Sequence, residues 1–221
     1  AKDLDQDQVK LFETNPENRK GKWNKILTLK NSPFLNKYNF LYKEEKLTLT
    51  FKEKEILTID VNESSERQKL SNKMLELENS LKEPIVLMQN NSFPFFDTAI
   101  SKKVDFINSV SLLNIQSIQD FQKKIGKKIE EPRFRGNICI DGVKAWEERN
   151  WIGKIIKIND ISFKVEKNIP RCVAINLKPK TDNNSLNLLH SLKKTYNHFD
   201  MGIYLTPLND GKIKISDTVG I

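Results

Sequence analysis

Cysteine and histidine are scarce, with two of each in 221 residues. Two thiols cannot build the disulfide framework of a small secreted domain, nor the four-thiolate set of an iron–sulfur cluster. His190 sits in a leucine-rich helical stretch as a surface or capping residue. His198 has no second histidine or carboxylate at ligand spacing, so neither marks a zinc site. Long apolar runs are missing as well: none approaches the ~20 residues that cross a bilayer. Ala1 to Lys10 carries charges where a secretory leader would be apolar, and a cytoplasmic location with no membrane span is the expectation. Internal repeats and low-complexity linkers are absent. The formal charge of +8 does not come from a basic run: lysines alternate with acids along the whole chain, and no cationic stretch is interleaved with stacking aromatics. A nucleic-acid partner is not expected.

What is present is a succession of short strands. Tyr38–Tyr42, Lys46–Phe51 and Ile56–Ile59 alternate at period two around charged turns and read as an antiparallel meander. Ser65 with Gln68 reads as a capping box, opening a helix whose Leu70, Met74, Leu77 and Leu81 form a core stripe before Pro84. Ile85–Met88 reads as a short strand, and Asn90–Asp97 as an aromatic loop in which Asp97 caps the chain or approaches a site. Val110–Ile115 is a strand, and Ser117–Ile125 a helix closed by Gly126. Further strands are expected at Lys154–Ile158, Ser162–Val165, Cys172–Leu177, Met201–Leu205 and Lys212–Ile215, with a helix over Leu186–Thr195. This pattern defines a mainly β fold with some α, a β-barrel or closed sheet carrying helices. The expected division is an N-terminal β subdomain over 1–83 and a second domain over 84–221.

Two local features carry chemistry. Cys172 follows Arg171 at the start of an apolar run. A thiolate there can attack a carbonyl or sulfur centre or ligate a soft metal, while the guanidinium lowers the thiol pKa and holds an anion. The other cysteine, Cys139, lies between Ile138 and Ile140 and reads as a small buried hydrophobe. The second feature is the use of arginine: there are only six, and Arg133, Arg135, Arg149 and Arg171 lie in one part of the chain. If Arg133-Phe134-Arg135-Gly136-Asn137 is extended, its two arginines and Asn137 share a face, and Gly136 allows close approach to a ligand. A solvated edge strand is the competing account of the same residues.

The segments 133–141, Trp146-Glu147-Glu148, Arg171-Cys172-Val173-Ala174, 198–204 and 211–219 together resemble the MOSC domain, the C-terminal domain of molybdenum cofactor sulfurases. It is also found in the mitochondrial amidoxime-reducing component and its bacterial relatives. The resemblance implies a MOSC-type β-barrel that binds a molybdopterin-type molybdenum cofactor. It implies Cys172 as the catalytic thiolate on molybdenum, with Arg133, Arg135, Asn137 and Arg171 around the cofactor. The implied activity is reduction of N-hydroxylated or related small molecules, with electrons from a separate flavin or iron–sulfur protein. An alternative role for the same residues is a sulfur carrier in which Cys172 holds a persulfide and Arg171 stabilises the thiolate. The family's opening His-Pro-Val-Lys-Ser type strand and Gly-Asp-Arg segment do not occur in this sequence. An incomplete N-terminal subdomain is therefore expected.

Overall fold

The computed structural model describes residues 24–88 and 109–220, together with positions 7, 9 and 10. The chain divides into two units, one of residues 1–95 with 180–182, the other of residues 96–179 with 183–221. The loop read over Asn90–Asp97 lies outside the described residues.

In the first unit the period-two segments form a sequential meander: β1 (Tyr38–Lys43), β2 (Lys46–Phe51) and β3 (Lys54–Asp60), all antiparallel. Leu49 and Ile59 turn inward against Leu70 and Met74 of helix α1 (Ser64–Leu77), making a small separate core. The expected capping box is not formed. Glu63 occupies the N-cap with no side-chain bond to the helix, and Arg67 instead donates to the carbonyls of Val61 and Asn62, tying the first turn to the chain that leaves β3. The stretch Ile85–Met88 is irregular chain, not a strand, and the Ser71 hydroxyl donates to the Ile85 carbonyl at 2.6 Å.

Both hairpins turn through residues ill suited to their backbone. Glu44 and Glu45, then Lys52 and Glu53, all have positive φ (49°, 61°, 49° and 65°), the conformation that two-residue hairpins reserve for Asn-Gly. The double replacement Lys52→Asn/Glu53→Gly is expected to stabilise this unit by about 1–2 kcal/mol by relieving left-handed strain at two residues. The exposed Lys180–Glu53 pair that it removes contributes little. Denaturant unfolding checks it; an unchanged or lowered midpoint would rule the strain out.

The second unit holds a six-stranded sheet curled into a nearly closed barrel, in the order β5-β4-β8-β7-β6-β9. Its strands are β4 (Val110–Asn114), β5 (Ile138–Ile140), β6 (Ile155–Ile158), β7 (Ile161–Pro170), β8 (Asp200–Pro207) and β9 (Val219–Gly220). Alternation along β4 decides what faces what. Leu112 enters the barrel core with Trp151, Phe163, Val165, Ile203 and Leu205, whereas Leu113 joins an outer core with Phe121, Phe134, Ile175, Leu192 and Met201. That outer core lies under helices α2 (Ile115–Ile125) and α3 (Leu188–Tyr196). Asn114 caps α2 by accepting from the Gln116 amide, and Gly126 ends it at φ 63° as the sequence indicates.

Three expectations in this unit are corrected. Cys172–Leu177 is not a strand: β7 stops at Pro170, and Val173–Asn176 forms a 3-10 turn that buries Ala174 and Ile175. An apolar run of this length is compatible with either form. Lys212–Ile215 is exposed irregular chain, with Ile215 almost wholly solvent-exposed. Cys139 is exposed, because the register of β5 points Ile140 into the barrel and leaves the thiol outside.

Candidate functional site

The basic segment is a turn, not an extended strand. Pro132 starts a 3-10 turn over Glu131–Phe134, and Arg135 closes it in the left-handed region at φ 48°. The two arginines therefore diverge. Arg133 is buried; its Nε donates to Glu130 Oε2 at 2.6 Å and its Nη1 to the Asn176 carbonyl at 2.8 Å. Arg135 is exposed and makes one long bond, Nη1 to the Ala174 carbonyl at 3.4 Å. Asn137 anchors the segment to β4, its Oδ1 accepting from the Ser111 amide at 2.9 Å and the Ser111 hydroxyl at 2.7 Å. Gly136 makes its close approach to the protein core: a Cβ there would lie 2.6 Å from Leu113 Cγ.

Arg171 and Cys172 complete the site from the other side. The Arg171 amide donates to the Phe199 carbonyl at 2.9 Å, which pins the end of β7 to the residues entering β8. Its guanidinium then reaches across the chain. Nε donates to the Met201 carbonyl at 2.8 Å, Nη2 bonds the same oxygen, and Nη1 donates to the Phe134 carbonyl at 2.7 Å. Gly202 makes room for it at φ 79°, since a Cβ there would strike the Leu112 carbonyl and lie 2.8 Å from Leu113 Cδ2 and 3.3 Å from Arg171 Nη2. Burial lowers the Arg171 pKa to about 10, and repulsion from Arg135 adds to the shift; Tyr204, Cys172 and Asp200 pull it back. Partial desolvation likewise lowers that of the otherwise exposed Arg135, against the attraction of Cys172. Cys172 is half-buried and N-caps the 3-10 turn without a side-chain bond to it.

The structure thus brings all five predicted residues to one place: the turn ending at Arg135 and the turn beginning at Cys172 are joined by bonds from Arg133, Arg135 and Arg171, with Asn137 holding the first turn to the sheet. Sequence reasoning missed Gly202, whose signal was a glycine inside an apolar strand pattern. It also assigned no role to Glu148. That carboxylate is fully buried, accepting from Ser117 Oγ at 2.8 Å and Asn114 Nδ2 at 2.9 Å, and it fixes the 144–151 segment against the start of α2.

His198 is part of a neighbouring cluster. Arg149 Nη1 lies 2.6 Å from its Nε2, and its ring packs on Tyr196 and edge-on to Trp146. Burial, followed by the Arg149 charge, lowers its pKa. Cys139 Sγ donates to Glu131 Oε1 at 2.8 Å; although the residue is exposed, partial burial of the sulfur, then that carboxylate, pushes the thiol up to about 12. Alkylation of Cys139 at pH 8 is therefore expected to lag well behind a free thiol despite its exposure, and Glu131→Gln to speed it several-fold. Mass-spectrometric rates read the effect; equal rates in the two proteins would overturn it.

Among the described residues no three His, Cys, Asp or Glu side chains gather in a way that could hold a bare ion. A metal at Cys172 would have to bring other ligands with it. The donor set present, one thiolate-forming sulfur beside two cationic side chains with no carboxylate bonded to Arg135 or Arg171 among the described residues, fits a soft metal carried by an anionic organic group.

The MOSC domain family matches residues 107–220, which include every barrel strand from β4 to β9. The chain belongs to the MOSC domain family. It is similar to mitochondrial amidoxime reducing component 2 of Rattus norvegicus, with 32% identity over 72 residues, 33% of this chain and 21% of the relative. Mitochondrial amidoxime reducing component 2 of Bos taurus is 27% identical over 142 residues, 59% of this chain and 42% of the relative. The chain thus spans less than half the length of the curated relatives it matches. No helix among the described residues is long and apolar enough to cross a membrane.

Proposed function

We propose that this chain holds a molybdopterin-type molybdenum cofactor through Cys172 and reduces N-hydroxylated or related small molecules, taking electrons from a separate flavin or iron–sulfur protein. The observation that carries the reading is the meeting of the Cys172 turn with the Arg135 turn, which brings the half-buried Cys172 within electrostatic reach of the Arg135 and Arg171 guanidiniums. Cys172 would hold the metal as a thiolate, which a bound metal deprotonates outright. Arg135 and the cationic field of Arg171 would hold the cofactor's anionic part, and Asn137 and Arg133 would keep the turn in register. When bound, the cofactor would supply the two-electron chemistry. The protein's own part is to bind and orient, with the sulfur held by a backbone anchored at Arg171 and Ile175.

The test is elemental analysis of the chain produced in a host that makes molybdopterin. Molybdenum in near-stoichiometric amount is expected, and its absence from well-folded protein would end the proposal. The partial exposure of Cys172 also favours a second reading, in which the thiol carries a persulfide to a metal centre elsewhere. A sulfur adduct on Cys172 without molybdenum, seen by intact-mass spectrometry, would select it.

A further inference from the structure

The arginines 133, 135 and 171 are equivalent as sequence and unlike in place. Arg171 has Nε, Nη1 and Nη2 all engaged on backbone carbonyls, those of Met201 and Phe134. Those two carbonyls belong to different walls of the site. Phe134 immediately precedes Arg135, whose left-handed φ aims the next stretch of chain, and Met201 lies on β8 beside the glycine that makes space for the guanidinium. The guanidinium also lies over the Phe134 ring, 5.8 Å from its centroid. Arg133 makes the complementary tie, from the first turn to the Asn176 carbonyl at the end of the Cys172 turn. Arg135 alone has its fork largely uncommitted, with one bond at 3.4 Å.

We infer that Arg171 is a positioning residue: it clamps the Phe134 and Met201 backbones so that Arg135 and Cys172 face one anionic ligand, and Arg135 makes the contact with that anion. A half-buried cation whose three donors are all directed at carbonyls cannot turn to a ligand without leaving those carbonyls unpaired, a loss of about 1–3 kcal/mol for each. A fork with one long bond can. The planar guanidinium is needed for the clamp, because it reaches the Met201 and Phe134 carbonyls from separate nitrogens of a rigid fork, whereas the three donors of an ammonium share one nitrogen. This inference rests on reading the site as one that holds an anion, and its test is independent of molybdenum.

The experiment uses the full chain prepared without cofactor, pyrophosphate as the probe, and calorimetric titration at low salt and 15 °C beside thermal melts. Arg135→Gln is expected to weaken pyrophosphate about tenfold or more through loss of a charge-assisted contact, with the melting temperature within about 2 °C of the parent. Arg171→Lys keeps the charge yet is expected to lower the melting temperature by about 4 °C or more. It is also expected to weaken pyrophosphate at least fivefold at 15 °C, where near-ultraviolet dichroism shows the barrel intact. An Arg171→Lys protein with parental melting temperature and affinity would overturn the clamp, since a point charge then suffices. A lowered melting temperature with affinity unchanged within twofold would leave Arg171 merely structural and overturn the positioning role. Should Arg171→Lys fail to fold, Arg133→Lys reads the same coupling from the Asn176 side, with the same outcomes. The parent chain is expected to bind pyrophosphate; no binding by the parent, or unweakened binding by Arg135→Gln, overturns the anion contact. A chain that behaves as described and carries no molybdenum sinks the proposed function and leaves the clamp standing.

Discussion

Serine at position 172 is expected to abolish molybdenum retention, to below about a tenth of the parent content, while leaving the fold unchanged. The two side chains are nearly isosteric, and Cys172 makes no side-chain capping bond that a hydroxyl would disturb. Its structural duty is carried by the backbone, whose carbonyl accepts from the Ile175 amide at 3.2 Å. What changes is chemistry. A hydroxyl does not ionise near neutral pH and offers a hard oxygen where a soft metal selects a thiolate. Elemental analysis on protein from the same host, with Cys139→Ser as the control that keeps its metal, reads the result. A Cys172→Ser protein with the parent's molybdenum content would remove the sulfur from the site.

The largest effect on stability is expected at Gly202. Alanine there places a Cβ against the Leu112 carbonyl and Leu113 Cδ2 at a residue whose φ is 79°. Left-handed strain on a non-glycine residue costs about 1–2 kcal/mol. Overpacking against a backbone atom that is itself held in the sheet costs about 1–3 kcal/mol. The sum of about 2–5 kcal/mol is a large fraction of the total stability of a domain this size. Arg171 Nη2, 3.3 Å from the added atom, is displaced as well, so the lesion reaches the site. Denaturant unfolding of Gly202→Ala measures it; a loss below about 1 kcal/mol would mean that the strands shift to accommodate the methyl group.

How far the sequence could be read depended on whether local pattern or distant contact determined each element. The meander of β1 to β3 follows directly from period-two alternation, because each strand pairs with its neighbour across a two-residue turn. The end of α2 was legible for the same reason, since Gly126 is a local signal. The site was legible as a set of residues and not as a shape. Arginines at i and i+2 share a face only in an extended chain, and Pro132 directs this segment into a 3-10 turn instead. The Cys172 run is as apolar as a strand, but Ile175 is buried by packing in the outer core with Phe134 and Met201, and no periodicity reports that. The facing of Cys139 is not legible locally, because three residues of β5 are too few to show which face is which.

The strand order has a consequence for how the chain acquires its structure. The first unit's strands are consecutive, and apart from residues 180–182 all its pieces lie in the first half of the chain. The barrel's central strand, β8, comes late, and both β4 and β7 take it as an antiparallel partner. During synthesis β4 therefore has no antiparallel neighbour until some ninety residues after it have emerged, whereas the meander can close as soon as Asp60 is made. Non-local pairing of this kind is slow, and the waiting strands present open apolar edges. Pulse-labelling hydrogen exchange during refolding should find the β2 amides protected before those of β4; simultaneous protection would show that the two units fold as one.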